Sequence, residues 1–168
     1  MLYRGDLEAE GVAEIFAGDV DGTPPKKLNP QLPSNADVTG FRIDPQGSAA
    51  SFVVDGFDDA EHSAAFVTTL TGDPIQIASP GADALLPEWV GGGTSVVWLS
   101  DEGQPGLTSL WSAERNGAQV RNLVGEIPSG GGLLEAVPLT TSRAAVVKGR
   151  LSTPEHVGLY LVGLGVGQ

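Results

Sequence analysis

The sequence predicts an all-β domain built from repeated four-stranded antiparallel units, and three observations support this. Gly-containing turns recur every 45 to 50 residues, at Gly22, Gly72, Gly117 and Gly167, and a period of this length is typical of repeat architectures. Short runs rich in Val, Ile, Phe and Trp lie between turns rich in Gly, Pro, Asn and Asp. Helical apolar spacing is confined to residues 7–16, where a glycine interrupts it.

The first complete unit occupies residues 37–78 and contains four predicted strands, which we call A to D. The second complete unit, residues 84–123, repeats the same order of strands and turns. Asn116-Gly117 tolerates positive φ and so closes a hairpin between strands C and D. The predicted strands lie at residues 41–43, 50–54, 65–69 and 74–78 in the first of these units, and at 87–90, 95–99, 109–112 and 119–123 in the second.

The two ends of the chain supply incomplete units. Residues 1–29 contain strands that match B, C and D, whereas residues 133–163 contain strands that match A, B and C. The chain is therefore predicted to be one domain over residues 1–168, with two complete units between two partial ones. The predicted end strands are 2–7, 13–19, 25–29, 134–139, 144–150 and 157–163.

Four-stranded units that cannot cover their own two apolar faces are typical of β-propeller blades. A blade packed between two neighbours is buried on both faces, so its strands need not alternate strictly. The nearly continuous apolar runs at residues 96–99 and 144–147 fit this pattern. We number the four predicted blades 1 to 4 in chain order.

Several segments resemble the TolB-like, WD-like propeller repeats. The sequence Ile43-Asp44-Pro45-Gln46-Gly47 is similar to the turn that follows strand A in that family. Strand C of the family carries a Leu-Tyr or Leu-Trp pair, which is similar to Ser109-Leu110-Trp111, Gly158-Leu159-Tyr160 and Glu14-Ile15-Phe16. The turn after strand A departs from the family pattern in blade 3, where Gly91-Gly92-Gly93 replaces it, and in blade 4, where residues 139–142 do.

The resemblance implies a propeller fold and a tendency towards protein–protein contact, and it implies no catalytic residues. It also implies a bacterial protein of the periplasm or the extracellular space. Related propellers serve as lobes of prolyl-oligopeptidase-type hydrolases, so the resemblance keeps a second function class open.

The composition excludes several other classes. The chain carries 21 acidic and 9 basic side chains, a net charge of −12, so nucleic acid is a poor partner. It has no cysteine, which excludes disulfides and thiolate metal sites. No apolar stretch is long enough for a membrane span, and the first residues lack the basic and then apolar order of a signal peptide.

One acidic loop is the candidate metal site. Asp55, Asp58, Asp59 and Glu61 lie between strands B and C of blade 2, next to His62. Hard cations such as Ca²⁺ prefer several oxygen ligands, so this loop could hold Ca²⁺ as the only cofactor. The spacing is not that of a twelve-residue calcium loop, and a solvated acidic loop explains the same residues. For Asp19 and Asp21 a hairpin turn is the simpler explanation.

Catalysis has little support in the sequence. No nucleophile elbow, zinc-protease helix or phosphate-binding loop occurs. His62 and His156 both lie in predicted loops. Glu88 and Glu135 occupy equivalent positions in strand A, which leaves a glycosidase-type carboxylate pair as an alternative. We predict that the chain is not an enzyme.

The aromatic side chains are predicted to pack between blades. Trp89, Trp98 and Trp111 fall on strands A, B and C of one blade, and large aromatic side chains in strands usually contribute to packing. Phe16, Phe66, Trp111 and Tyr160 occupy matching positions in strand C of the four blades. A side chain that repeats in every blade fits a packing role better than a single ligand site.

The sequence therefore predicts a non-enzymatic propeller-type scaffold that binds a protein partner or a second copy of itself. An unpaired strand edge at each end would favour aggregation unless something covered it. Three arrangements remain open: a closed ring of four blades, a homodimer of two half-rings, and a piece of a longer chain. The alternatives in function are a propeller lobe of a larger hydrolase and a carbohydrate-binding or metal-binding propeller.

Overall fold

The computed structural model describes residues 1–19, 21–153 and 155–164, which form fourteen β-strands. The predicted all-β fold class is confirmed, and the described residues contain no helix beyond a single 3-10 turn at Gly91–Gly93. Val20 and residues 165–167 of the predicted terminal turns lie outside the described residues. The strands are β1 Leu2–Gly5, β2 Glu14–Ala17, β3 Lys26–Lys27, β4 Asp37–Ile43, β5 Ala49–Asp55, β6 Ser63–Thr69, β7 Ile75–Gln76, β8 Glu88–Val90, β9 Ser95–Ser100, β10 Ser109–Glu114, β11 Arg121–Asn122, β12 Gly132–Leu139, β13 Ala144–Arg150 and β14 Gly158–Gly163.

The strands form four antiparallel sheets, each made of strands that follow one another in the chain. Two sheets have four strands, in the orders β4-β5-β6-β7 and β8-β9-β10-β11. The other two have three strands, in the orders β1-β2-β3 and β12-β13-β14. The structure thus contains two complete blades between two partial ones.

The strands differ from the predicted bounds mainly at their ends. Strand A of blade 2 begins four residues earlier than predicted, at Asp37, because a β-bulge between Val38 and Gly40 lets it follow β5 further. Strand D is shorter than predicted in both complete blades, because only two residues of β7 and of β11 pair with strand C. The possible helix over residues 7–16 is not formed. Its last three residues, 14–16, belong to β2, and Gly11 has a φ of 80°.

Three apolar clusters hold the four blades side by side. One cluster joins blades 1 and 2 around Ile15 and Phe52, a second joins blades 2 and 3 around Trp98, and a third joins blades 3 and 4 around Leu110. Each of these side chains is buried. The blades therefore pack face to face in chain order, as propeller blades do.

The tryptophans of blade 3 lie in the cluster between blades 2 and 3. Trp89 and Trp98 are buried there, and Trp111 packs against them while partly exposed. Phe66 of blade 2 stacks on Phe52, with ring centroids 5.1 Å apart. These contacts confirm the prediction of packing between blades for the tryptophans and Phe66, and Tyr160 packs between blades 3 and 4. Phe16 departs from the prediction, because it lies on the outer face of blade 1 and packs against Tyr3 of the same blade.

A backbone hydrogen bond recurs at each blade junction. The chain that enters strand A of blade 2 donates from the N–H of Val38 to the carbonyl oxygen of Ala13, at 2.8 Å. The equivalent bonds run from Ala84 to Ser63 at 2.9 Å and from Leu133 to Thr108 at 2.8 Å. Each acceptor lies at the start of strand C in the preceding blade. The repeated bond thus links each blade to the next at an equivalent place.

The turn at Asn116-Gly117 has the geometry that its sequence predicts. Gly117 has a φ of 76° and closes the turn between β10 and β11, as expected for Asn-Gly. A Cβ at Gly117 would lie 2.6 Å from Cγ2 of Ile75 in blade 2, so any side chain would clash there. The glycine thus also allows two blades to approach.

Within the described residues, no helix has the length and apolar character needed to cross a membrane.

Candidate interaction surface

Exposed large apolar side chains are concentrated on the outer face of blade 4. Among the described residues, five of the eleven exposed large apolar side chains lie on this face. Leu159 is 76% exposed and Leu161 is 72% exposed, although both lie within β14. The apolar side chains of this face are Leu134, Val137, Val157, Leu159 and Leu161, together with the half-buried Val146, and Glu135 and Lys148 lie on the same face.

Strand alternation explains why these side chains are exposed. Tyr160 and Val162 of β14 point towards blade 3 and join the cluster between blades 3 and 4. Leu159 and Leu161 therefore point to the opposite side of the sheet. Val137, Val146 and Leu161 are direct cross-strand neighbours and form a continuous apolar row. Leu134 is the extra residue of a bulge in β12 and also stays outside.

Blade 4 also has an open strand edge. In blades 2 and 3 a short strand D pairs with strand C, whereas no strand pairs with the outer edge of β14 in the part of the chain that the structure describes. An unpaired edge offers free N–H and C=O groups to another strand. The same blade thus presents both an apolar face and an open edge.

The outer face of blade 1 is closed by its own side chains. Ile15 packs towards blade 2, so Glu14 and Phe16 point outwards, yet each is only 2% exposed. Tyr3 covers Phe16, with ring centroids 5.8 Å apart. Lys27 Nζ lies 3.1 Å from Glu14 Oε1 and 2.6 Å from Glu8 Oε2. This polar cover means that the two terminal faces are not equivalent.

Blades 1 and 4 do not pack against each other to close a ring in the described chain. A closed ring of four blades would bury Leu159 and Leu161 against blade 1, but both remain largely exposed. The described chain is therefore an open arc of four blades.

The acidic loop of blade 2 does not gather its carboxylates at one point. Asp58 accepts a hydrogen bond from Nε2 of Gln76 at 2.7 Å, and Asp55 accepts one from the Ser63 hydroxyl at 3.2 Å. Asp59 accepts from the backbone N–H of Glu61 and contacts His62. Among the described residues, no group of three or more acidic or histidine side chains is placed to hold a metal ion. Calcium binding by Asp55, Asp58, Asp59 and Glu61 stays a prediction.

His62 and Asp59 form an exposed pair on this loop. Asp59 Oδ1 lies 2.7 Å from His62 Nδ1, and this hydrogen bond raises the pKa of His62. The pKa of Asp59 is lowered by the backbone N–H of Glu61 and then by His62. Such an exposed pair is screened by solvent and organises the loop locally.

The other candidate residues predicted from the sequence also have separate local partners and do not form a common site. Asp21 accepts a hydrogen bond from the backbone N–H of Thr23 at 3.0 Å, which lowers the pKa of Asp21 and fits a turn. Glu88 forms an ion pair with Arg42 at 2.9 Å, whereas Glu135 lies on the outer face of blade 4 opposite Lys148. His156 is exposed near Thr153. The structure does not bring Glu88 and Glu135 together as a carboxylate pair.

A buried ion pair joins blades 2 and 3 and was not predicted from the sequence. Asp44 Oδ1 accepts hydrogen bonds from the N–H groups of Ser48 and Ala49, at 2.6 and 2.7 Å. Its Oδ2 lies 2.6 Å from Nη1 of Arg115, a residue 71 positions away. Burial alone would raise the pKa of Asp44, but these hydrogen bonds and the Arg115 charge lower it overall.

The fold matches solved propeller structures. A TolB-type protein from Agrobacterium tumefaciens superimposes with a TM-score of 0.59 at 15% sequence identity, covering 97% of this chain and 57% of that one. A protein of the dipeptidyl aminopeptidase IV type from Bacteroides ovatus gives a TM-score of 0.58 at 13% identity, covering 94% of this chain and 25% of that one. A puromycin-hydrolyzing peptidase from Mycobacterium tuberculosis gives 0.53 at 17% identity, covering 98% and 29%.

These likenesses define the class of the fold. The chain has the architecture of TolB-like β-propeller blades, as the sequence resemblance implied. It spans 57% of the TolB-type chain and between a quarter and a third of the two peptidase-type chains. No protein-family model and no curated protein matches the sequence.

Proposed function

We propose that this chain is a non-enzymatic propeller-type interaction module, and that its partner is a second copy packed on the outer face of blade 4. The apolar row of Val137, Val146 and Leu161, in which Val137 and Leu161 are exposed and Val146 is half-buried, carries the proposal. Each of the three interfaces between successive blades of this chain is formed by apolar sheet faces. The outer face of blade 4 continues that series, and no described residue of the chain packs on it as a further blade.

The closed outer face of blade 1 favours a symmetric dimer. A head-to-tail half-ring would place the apolar face of blade 4 on the polar cover formed by Glu8, Glu14 and Lys27. A two-fold dimer instead packs the face of blade 4 on itself, and each apolar row then meets another apolar row. Glu135 and Lys148 are cross-strand neighbours on this face, so each copy offers one acidic and one basic group to the other.

A single substitution on the outer face of blade 4 should change the mass of the protein in solution. We expect the wild-type chain to show twice its mass of 17.2 kDa in light scattering at micromolar concentration. Leu161→Asp places a charge in the apolar row and should weaken the dimer by about 100-fold or more. Because Leu161 is 72% exposed in the single chain, the variant should keep its fold and thermal stability as a monomer.

A matched leucine provides the control. Leu7→Asp changes an exposed leucine between β1 and β2 of blade 1, and the dimer should stay intact. Added salt should strengthen the wild-type dimer, since it screens the repulsion between two chains of net charge −12. A monomer at every concentration up to about 1 mM, or equal effects of the two substitutions, would contradict a dimer through blade 4.

A propeller lobe of a larger hydrolase is the second candidate. The fold shared with two peptidase-type chains, of which this chain spans a quarter to a third, supports it. In that arrangement the outer face of blade 4 would pack on a following blade, and catalytic residues would lie elsewhere in the larger protein. Turnover of ester, peptide or glycoside substrates by this chain, lost on Glu88→Gln or His62→Ala, would contradict the non-enzymatic proposal itself.

A further inference from the structure

Arg143 lies at the boundary between blades 3 and 4, on the side of the molecule where strands A and B are joined. It directly precedes β13, and its side chain reaches towards blade 3, where Nη2 lies 3.4 Å from the Ser95 hydroxyl. A Cβ at Gly91 would lie 2.8 Å from Cγ of Arg143, so the arginine stem occupies space that a side chain there would need. The position of Arg143 is thus set by both blades.

Arg143 forms no ion pair with an acidic side chain of the described residues. Arg42 and Arg115 pair with Glu88 and Asp44, whereas no acidic group of the described chain lies within 4.0 Å of Arg143. Its Nε is buried and has no hydrogen-bond partner. Its side-chain partner is the neutral Ser95 hydroxyl, so no described acidic group neutralises the guanidinium directly.

Two adjoining cavities meet at Arg143. The larger has a volume of about 380 Å³ and lies between Arg143 and the turn that carries Arg115. The smaller, of about 220 Å³, lies on the other side, next to Ser95 and Ser112. Glu114 and Arg143 line both. The larger cavity is also lined by Thr69, Thr94 and Asn116, and the smaller by Ala113, Gln119, Arg121 and Leu164.

We propose that Arg143 binds the carboxylate group of a small molecule or a polypeptide chain in these cavities. A guanidinium presents parallel N–H donors whose geometry matches the two oxygens of a carboxylate. The Ser95 hydroxyl lines the smaller cavity as a further donor, because it accepts a hydrogen bond from Arg143 and keeps its own proton free, whereas the Thr94 hydroxyl donates to the carbonyl oxygen of Gly91. Each cavity is lined by two arginines, Arg143 with Arg115 in the larger and Arg143 with Arg121 in the smaller, and by Glu114. The net charge of one positive unit favours a singly charged carboxylate over a phosphate dianion.

The probe for this site is N-acetylglycine, with N-acetylglycinamide as its uncharged counterpart. At constant ionic strength, we expect calorimetric titration to show saturable millimolar binding of N-acetylglycine by the wild-type chain and none of the amide. Arg143→Ala should weaken binding about 10-fold or more, and Arg143→Lys should restore only part of it. Arg150→Ala, at the other end of β13, should bind as the wild type does.

A second variant keeps the test independent of any folding defect in the arginine variants. Glu114 is exposed, so Glu114→Gln should fold normally and bind N-acetylglycine about 2- to 5-fold more tightly, because a repulsive charge is removed. Equal binding of the acid and the amide, tighter binding of inorganic phosphate, or unchanged affinity in both Arg143→Ala and Glu114→Gln would overturn the proposal. Tighter binding of a longer peptide through its terminal carboxylate would support a polypeptide as the ligand.

Discussion

Replacing Trp98 by alanine should lower the free energy of unfolding by about 3–5 kcal/mol. The indole is 2% exposed and lies in the cluster between blades 2 and 3, where its removal would leave a large cavity. The two halves of the arc would then share a weakened interface. Urea unfolding followed by circular dichroism measures the change, and the slope of the transition should stay the same if the cooperative unit is unchanged.

Trp98→Phe is the control for this prediction. The indole Nε1 is buried without a hydrogen-bond partner, so phenylalanine removes an unsatisfied donor and keeps most of the apolar volume. We expect a loss below about 1.5 kcal/mol. If Trp98→Phe cost as much as Trp98→Ala, the stability would depend on the indole N–H and not on packing between the blades.

Replacing Asp44 by alanine should lower the free energy of unfolding by about 2–4 kcal/mol. The side chain is fully buried and satisfies two backbone N–H groups as well as Arg115. Alanine would leave these donors without their acceptor at the junction of blades 2 and 3. Asp44→Asn keeps one acceptor oxygen but loses the charge, so it should cost less, about 1–2 kcal/mol.

The contribution of Asp44 to the free energy of unfolding should decrease as the pH is lowered. The pKa of Asp44 is lower in the folded chain than its ordinary value of 3.8, so the ionised carboxylate stabilises the fold above that value. This contribution is lost as the pH falls through the lowered pKa of the folded state. The stability difference between wild type and Asp44→Asn should therefore be full near pH 7 and shrink below about pH 4. A difference independent of pH would show that the charge on Asp44 does not stabilise the junction.

The order and phase of the strands could be predicted because each strand carries its own local signals. Asn116-Gly117 defines a hairpin without any knowledge of the rest of the chain, and the run at residues 95–99 is apolar enough to be buried on both faces. The partial blades at the two ends follow from the same local patterns. Strand D was predicted too long, because its pairing depends on the neighbouring strand and not on its own composition.

The candidate surfaces were less predictable because they depend on contacts between distant residues. In β14 every second side chain is exposed, yet Leu159, Tyr160, Leu161 and Val162 are all apolar, so periodicity does not separate inner from outer positions. Asp44 and Arg115 are 71 residues apart and meet only when blades 2 and 3 pack. The acidic loop shows the converse: carboxylates that are close in sequence bind separate local donors.

The covered face of blade 1 and the open face of blade 4 are the basis of the proposed dimer. Hydrogen exchange measured at two protein concentrations tests this difference most directly. Dimer formation through blade 4 should slow exchange in β12, β13 and β14 as the concentration rises, and leave β1, β2 and β3 unchanged. Slower exchange in β1–β3 with no change in β12–β14, or no concentration dependence in either blade, would contradict it.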